Sequence, residues 1–249
     1  MRACDTVINM YDGEIDEAYD EPRQSLLDLV QQRMAEIGKT VMISRLVYVA
    51  RPVDLHSNTK EITDFHEILI DEAVGDRSEK CTGLLLCYPN VSLHVIEAPH
   101  AILIALLHCL GERAAGLDVI DAVKILSFTD DVPFRAFKDW HTAFIGGTEE
   151  VHDSYEPAEK DTVVPLASEV NLTFLKVARR MSDMAPAAVD AALQSPALAF
   201  PELPSIKTLQ SLLLATGVPS SKEFLEIFDA TLDVNLDSER VWPVPESSK

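Results

Sequence analysis

The stretch that decides the fold is CTGLLLCYPNVSLHVIEAP, residues 81–99. Two apolar runs, 84–88 and 93–96, flank a Tyr88-Pro89-Asn90 turn signal, a pattern that predicts a hairpin of buried strands. The second run carries His94 at its centre. A lone histidine in an apolar strand is more often a hydrogen-bonded core residue than a ligand, so packing is the expected role.

Outward from the hairpin, helix and strand periods alternate. Residues 41–50 read as a strand, and Ile62, Phe65, Ile68, Leu69 and Ala73 recur at helical spacing before Gly75. Residues 97–111 read as a second helix and 119–128 as another strand. The order β, α, β, β, α, β predicts an α+β, ferredoxin-like mixed sheet with two helices on one face. Ahead of it, Leu26, Leu29, Val30, Met34 and Ile37 mark a leading amphipathic helix over 23–38 that feeds the core, with Gly38 as its stop. Residues 1–22 hold seven acidic residues, Asp5 through Glu21, against one base, Arg2, and read as a solvated arm.

Beyond the 39–146 domain, Gly146-Gly147 and the acidic run that follows suggest a linker over 147–165. A helical C-terminal extension, 166–249, is expected next. Residues 169–184 form its clearest helix, and Ser205 and Ser220 make good N-caps, the second with Glu223 placed for a capping box. The chain closes on an extended tail with Trp242 ahead of Pro243 and Pro245.

Composition narrows the function. Forty-one acidic against twenty-one basic residues give a net charge of −20, which repels phosphate backbones and anionic bilayers, so neither nucleic acid nor membrane is an expected partner. Four cysteines without a CxxC pair, and no apolar leader, point to a soluble protein of a reducing compartment. No phosphate loop, GxGxxG, HExxH or GxSxG is present, and the seven histidines show no metal-ligand spacing, so no catalytic or metal-binding residue is assigned. The expectation is a protein that is not an enzyme.

Three blocks, RLVYVAR (45–51), TGLLLCYPNVSLHVIEA (82–98) and FRAFKDWHTAF (134–144), resemble the signatures of BLUF domains, blue-light sensors that hold a flavin between the two helices of a ferredoxin-like fold. The resemblance implies a flavin pocket at Tyr48, Glu79, His94 and Trp140. His94 stands where those sensors carry the switching glutamine, and Glu79 where they carry a flavin-binding asparagine. An imidazole cannot present an amide's carbonyl and NH2 on one rotatable group, and a carboxylate can only accept. The expectation is therefore no cofactor, with FAD and a BLUF-type light sensor as the alternative.

TGLLLCYP, SLHVIE, VPFRAFKDWH and the closing LDSERVWPVP together are similar to the testis-expressed protein forty-seven family, BLUF-like non-photoreceptor proteins of organisms with motile cilia. This second resemblance spans about Lys39 to Pro245. It implies a non-enzymatic structural component of the ciliary or flagellar axoneme, in the cytoplasm and its cytoskeleton, that joins other axonemal proteins in a multi-protein complex. Tubulin's outer surface is itself acidic, so the charge disfavours direct binding to a bare microtubule. Phe224, Phe228, Val241 and Trp242 are the expected partner-facing residues.

Overall fold

The computed structural model describes residues 24–38, 41–53, 59–116, 119–146 and 155–230. They fall into two compact units, one up to Val41 and one from Met42 onward. The first holds α1 (Leu26–Glu36), started by a Ser25–Asp28 capping box and followed by Gly38 at φ 70°.

The second unit runs β1 (Ile43–Pro52), α2 (Thr59–Val74), β2 (Thr82–Cys87), β3 (Ser92–Pro99), α3 (His100–Ala115), β4 (Ile120–Val132) and β5 (Trp140–Phe144), then α4 (Lys160–Ser182), α5 (Pro186–Gln194), α6 (Pro196–Ala199), α7 (Ile206–Leu214) and α8 (Ser221–Phe228). The strands form one mixed sheet in the order β4-β1-β3-β2-β5. The first four give the expected α+β, ferredoxin-like arrangement, β1 antiparallel to both β3 and β4 and β2 antiparallel to β3. β5, unforeseen as a strand, adds in parallel to β2. The hairpin at 81–99 sits at the centre, closed by a Tyr88 N–H bond to the Val91 carbonyl. Gly83 is required there: a Cβ would run into the Val95 carbonyl oxygen of the neighbouring strand.

Strand alternation sends side chains to two different apolar layers. Leu46, Tyr48, Ala50, Ile96 and Ala98 meet Phe65 and Leu69 of α2 and Ile102, Leu103 and Leu106 of α3. Val47, Val49, Leu84, Leu86, Leu93 and Val95 meet Phe174 and Val177 of α4, Val189 of α5, and Leu209 and Leu212 of α7. The C-terminal helices are thus the sheet's second cover, and this is why β1 to β3 are buried at nearly every position instead of alternating. Tyr88 Oη donates to the Pro204 carbonyl at 2.9 Å, and Gln210 Nε2 to that of Asn90 at 3.0 Å, so these helices also clamp the hairpin tip. α8 returns to the first face, against α3 and β4.

Several boundaries differ from expectation, and two helix starts have a clear reason. α3 begins at His100, three residues late, because β3 continues through Pro99. α4 begins at Lys160, inside the expected linker, and carries Pro165 at the cost of one backbone bond. Ser205 and Ser220 cap α7 and α8 as expected, the latter with Glu223 in a capping box. Residues 1–22 and the closing tail, including Val241 and Trp242, lie outside the described residues. Among the described residues, no helix is long and apolar enough to cross a membrane.

Candidate functional site

Tyr48 on β1 and His94 on β3 are direct cross-strand partners, both fully buried and facing α2 and α3. His94 Nδ1 lies 2.8 Å from Tyr48 Oη, and Trp140 Nε1 lies 2.9 Å from His94 Nε2. To reach His94 from β5, the half-buried indole crosses β2, and Gly83, its register neighbour, presents no side chain in the way.

The chemistry of these atoms fixes one proton arrangement. An indole N–H can only donate, so His94 Nε2 is an acceptor and the proton of the neutral ring sits on Nδ1, which donates to the Tyr48 oxygen. A protonated ring would set two N–H groups against each other. Burial, reinforced by the neighbouring His66, accordingly holds His94 well below the ordinary histidine range, and burial pushes Tyr48 well above the ordinary tyrosine range.

His66, on α2, completes the group. Its Nδ1 donates to the Ile62 carbonyl at 2.7 Å, and its ring packs edge-on to His94 with centroids 5.2 Å apart. Burial lowers its pKa to about 4, and its Nε2 is buried with no hydrogen-bond partner among the described residues. Sequence reading passed over His66, although its place on the apolar stripe of Ile62 and Leu69 was the available signal.

Glu79, the fourth residue of the implied flavin pocket, is half-buried before β2 and outside this hydrogen-bonded set. A flavin does not fit the residues present. Both nitrogens of His94 are taken by Trp140 and Tyr48, and the space between α2 and α3 is filled by Phe65, Leu69, Ile102 and Leu106, each 4% exposed or less. Among the described residues, no group of histidine, cysteine or acidic side chains could hold a metal ion.

A second polar cluster lies on the opposite face. Glu97, fully buried, takes a bidentate bond from Arg45, with Nε at 2.8 Å and Nη2 at 2.7 Å from the same oxygen. Thr82 Oγ1 and the backbone N–H groups of Ala136 and Phe137 complete its shell at 2.9–3.2 Å. Arg135 adds a bond to the Glu97 carbonyl at 2.6 Å. A buried carboxylate costs several kcal/mol unless its lone pairs are filled, and here they are filled by groups that fasten the 133–139 segment to β3. The arrangement leaves no oxygen for a substrate and reads as a latch.

Of the expected partner-facing residues, Phe228 is 68% exposed. Phe224 is not: it is 7% exposed, because its ring stacks between Phe128 and Phe228, with centroids 5.3 and 4.6 Å apart. These rings line a groove of about 410 Å³ between α3, β4 and α8.

Among solved structures, the chain is similar to a bacterial light-regulated adenylyl cyclase, at 20% identity over 62% of this chain and 40% of that one, with a TM-score of 0.32. It is similar also to BlrP1 BLUF, at 15% identity over 42% of this chain and 64% of that one, TM-score 0.32. A third is BlrB, a BLUF protein in its dark state, at 15% identity over 61% of this chain and 91% of that one, TM-score 0.31. The matches thus span less than two thirds of the length of the first two. A family profile described as Testis-expressed protein 47 matches residues 42–230, which is all of the sheet and every helix from α2 to α8. The chain belongs to the testis-expressed protein 47 family.

Proposed function

We propose that this protein is a non-enzymatic structural component of the ciliary or flagellar axoneme, a BLUF-like fold whose role is to join other axonemal proteins in a complex. One observation supports the non-enzymatic half most strongly: Trp140, His94 and Tyr48 satisfy one another, so the place where a related fold would engage a flavin is closed by its own side chains. Membership of a family described as testis-expressed fits the axonemal half, since the testis is where flagellated cells are made. The net charge of −20 supports a protein partner with basic or apolar surfaces over nucleic acid, an anionic membrane or a bare acidic microtubule. Phe228 is exposed for such contact, whereas Phe224 belongs to the core and is withdrawn from the interface.

Fractionation of motile cells that express the tagged full-length chain tests the proposal. The protein is expected to stay with demembranated axonemes after detergent and to leave them at high salt, while failing to sediment with purified microtubules. Full release with the soluble fraction by detergent alone would contradict it.

A further inference from the structure

β4 is an edge strand, and its outer side is only partly covered. The Ile125 N–H bonds the Pro219 carbonyl at 2.8 Å and Lys124 bridges Ser220, but among the described residues no strand pairs with 126–128 on that side. An open edge beside an apolar groove invites another strand. The groove lies alongside, lined by Ile104, Leu126, Phe128, Phe224 and the exposed Phe228.

The chain itself delivers an occupant to this place. His108 Nε2 on α3 lies 2.8 Å from Oδ2 of Asp229, the residue after Phe228 of the groove lining. Nineteen residues follow the last described residue, Ala230, and they begin with Leu232, Val234 and Leu236 alternating with Asp233, Asn235 and Asp237. That two-residue period gives a strand one apolar and one polar face. At about 3.3 Å per residue, the five residues 232–236 extend about 17 Å, longer than the roughly 10 Å that 126–128 span. Tethering keeps the segment at an effective concentration on the order of millimolar, well above that of a free competitor.

We propose that residues 232–236 of the same chain dock in this groove, adding to the open edge of β4 and laying Leu232, Val234 and Leu236 over Phe128 and Phe228. Pro243 and Pro245, unable to donate ladder bonds, end any pairing beyond it. The docking itself does not depend on the axonemal reading.

Hydrogen exchange on the full-length protein, with Phe228→Asp and Val234→Asp as variants, is the test. In the unsubstituted chain the amides of 232–236 and 126–128 are expected to exchange at least about tenfold more slowly than in either variant, at every protein concentration. Val234→Asp alters no described residue, so it carries the test if Phe228→Asp disturbs α8. Equal exchange in all three proteins would overturn the proposal. Protection that fades on dilution would also overturn it and assign the groove to the tail of a second copy.

Discussion

His94 is held by what its neighbours can and cannot do: the Trp140 N–H must donate, the buried Tyr48 oxygen accepts, and a proton added to the ring would break the first bond. His94→Leu keeps the volume roughly constant but leaves the buried Tyr48 hydroxyl and the half-buried Trp140 N–H without partners. The expected cost is about 2 to 6 kcal/mol at neutral pH, read from urea unfolding, since each such group costs about 1–3 kcal/mol. A second expectation concerns pH. His66 falls from 6.5 to about 4 and His94 is likewise lowered, so the unfolded chain binds more protons below pH 6.5 than the folded one. Stability should therefore be full above the unfolded pKa and decline as pH falls from 6.5 toward 4, by up to about 1.4 kcal/mol per pH unit for each ring. His66→Leu should roughly halve that slope in denaturant titrations between neutral and mildly acidic pH. A slope unchanged by the substitution would show that His66 titrates normally. His94 stood out as a polar residue in an apolar run, but its grouping with Tyr48 and Trp140 came from a family resemblance alone, because a 48–94–140 spacing has no periodic signal. His66 was missed because one helical histidine among apolar residues looks the same whether or not it meets a second ring.

At the level of elements, local chemistry was the most legible. The hairpin turn, the capping residues Ser205 and Ser220, and the stop at Gly75, with φ 56°, all follow from short-range rules. What escaped depends on distant partners. β5 is five residues with only Ala143 buried, and it becomes a strand because β2 offers an edge and the Glu97 latch delivers the preceding segment to it. α4 was read from its second half because Pro165 and a polar first turn hide a start that tertiary packing of Val163 and Ala167 supports. The latch itself gives the third expectation. Glu97→Ala strands Arg45, at 8% exposure, and two backbone N–H groups, so it should cost on the order of 3–5 kcal/mol in thermal or chemical unfolding. An Arg45→Leu, Glu97→Leu double variant should cost less than the sum of the two single changes, because it removes the pair together. Strict additivity would show that Glu97 is solvated and the latch ineffective.

For the whole molecule, the sequence reading gave a domain with an extension, while the structure has one sheet between two helical layers, the second of which comes from that extension. The clue was present in the doubly apolar strands, but a continuous apolar run does not say which later segment will cover it. A chain ending at 146 would expose Val47, Val49, Leu84, Leu86, Leu93 and Val95 together, an apolar face that soluble monomers rarely carry. That fragment is expected to aggregate or bind a hydrophobic dye on gel filtration. A monomeric, cooperatively folding 42–146 fragment would mean that the C-terminal helices only decorate a finished domain. The same two-sided closure underlies the functional reading, in which a BLUF-like fold has turned its polar side chains inward and works through its surface. Absorbance in the blue flavin band of the native full-length protein, purified from flavin-supplemented cells and then illuminated, tests that reading most directly. The expected result is a colourless protein with no light-dependent change; stoichiometric flavin with a reversible spectral shift would contradict it.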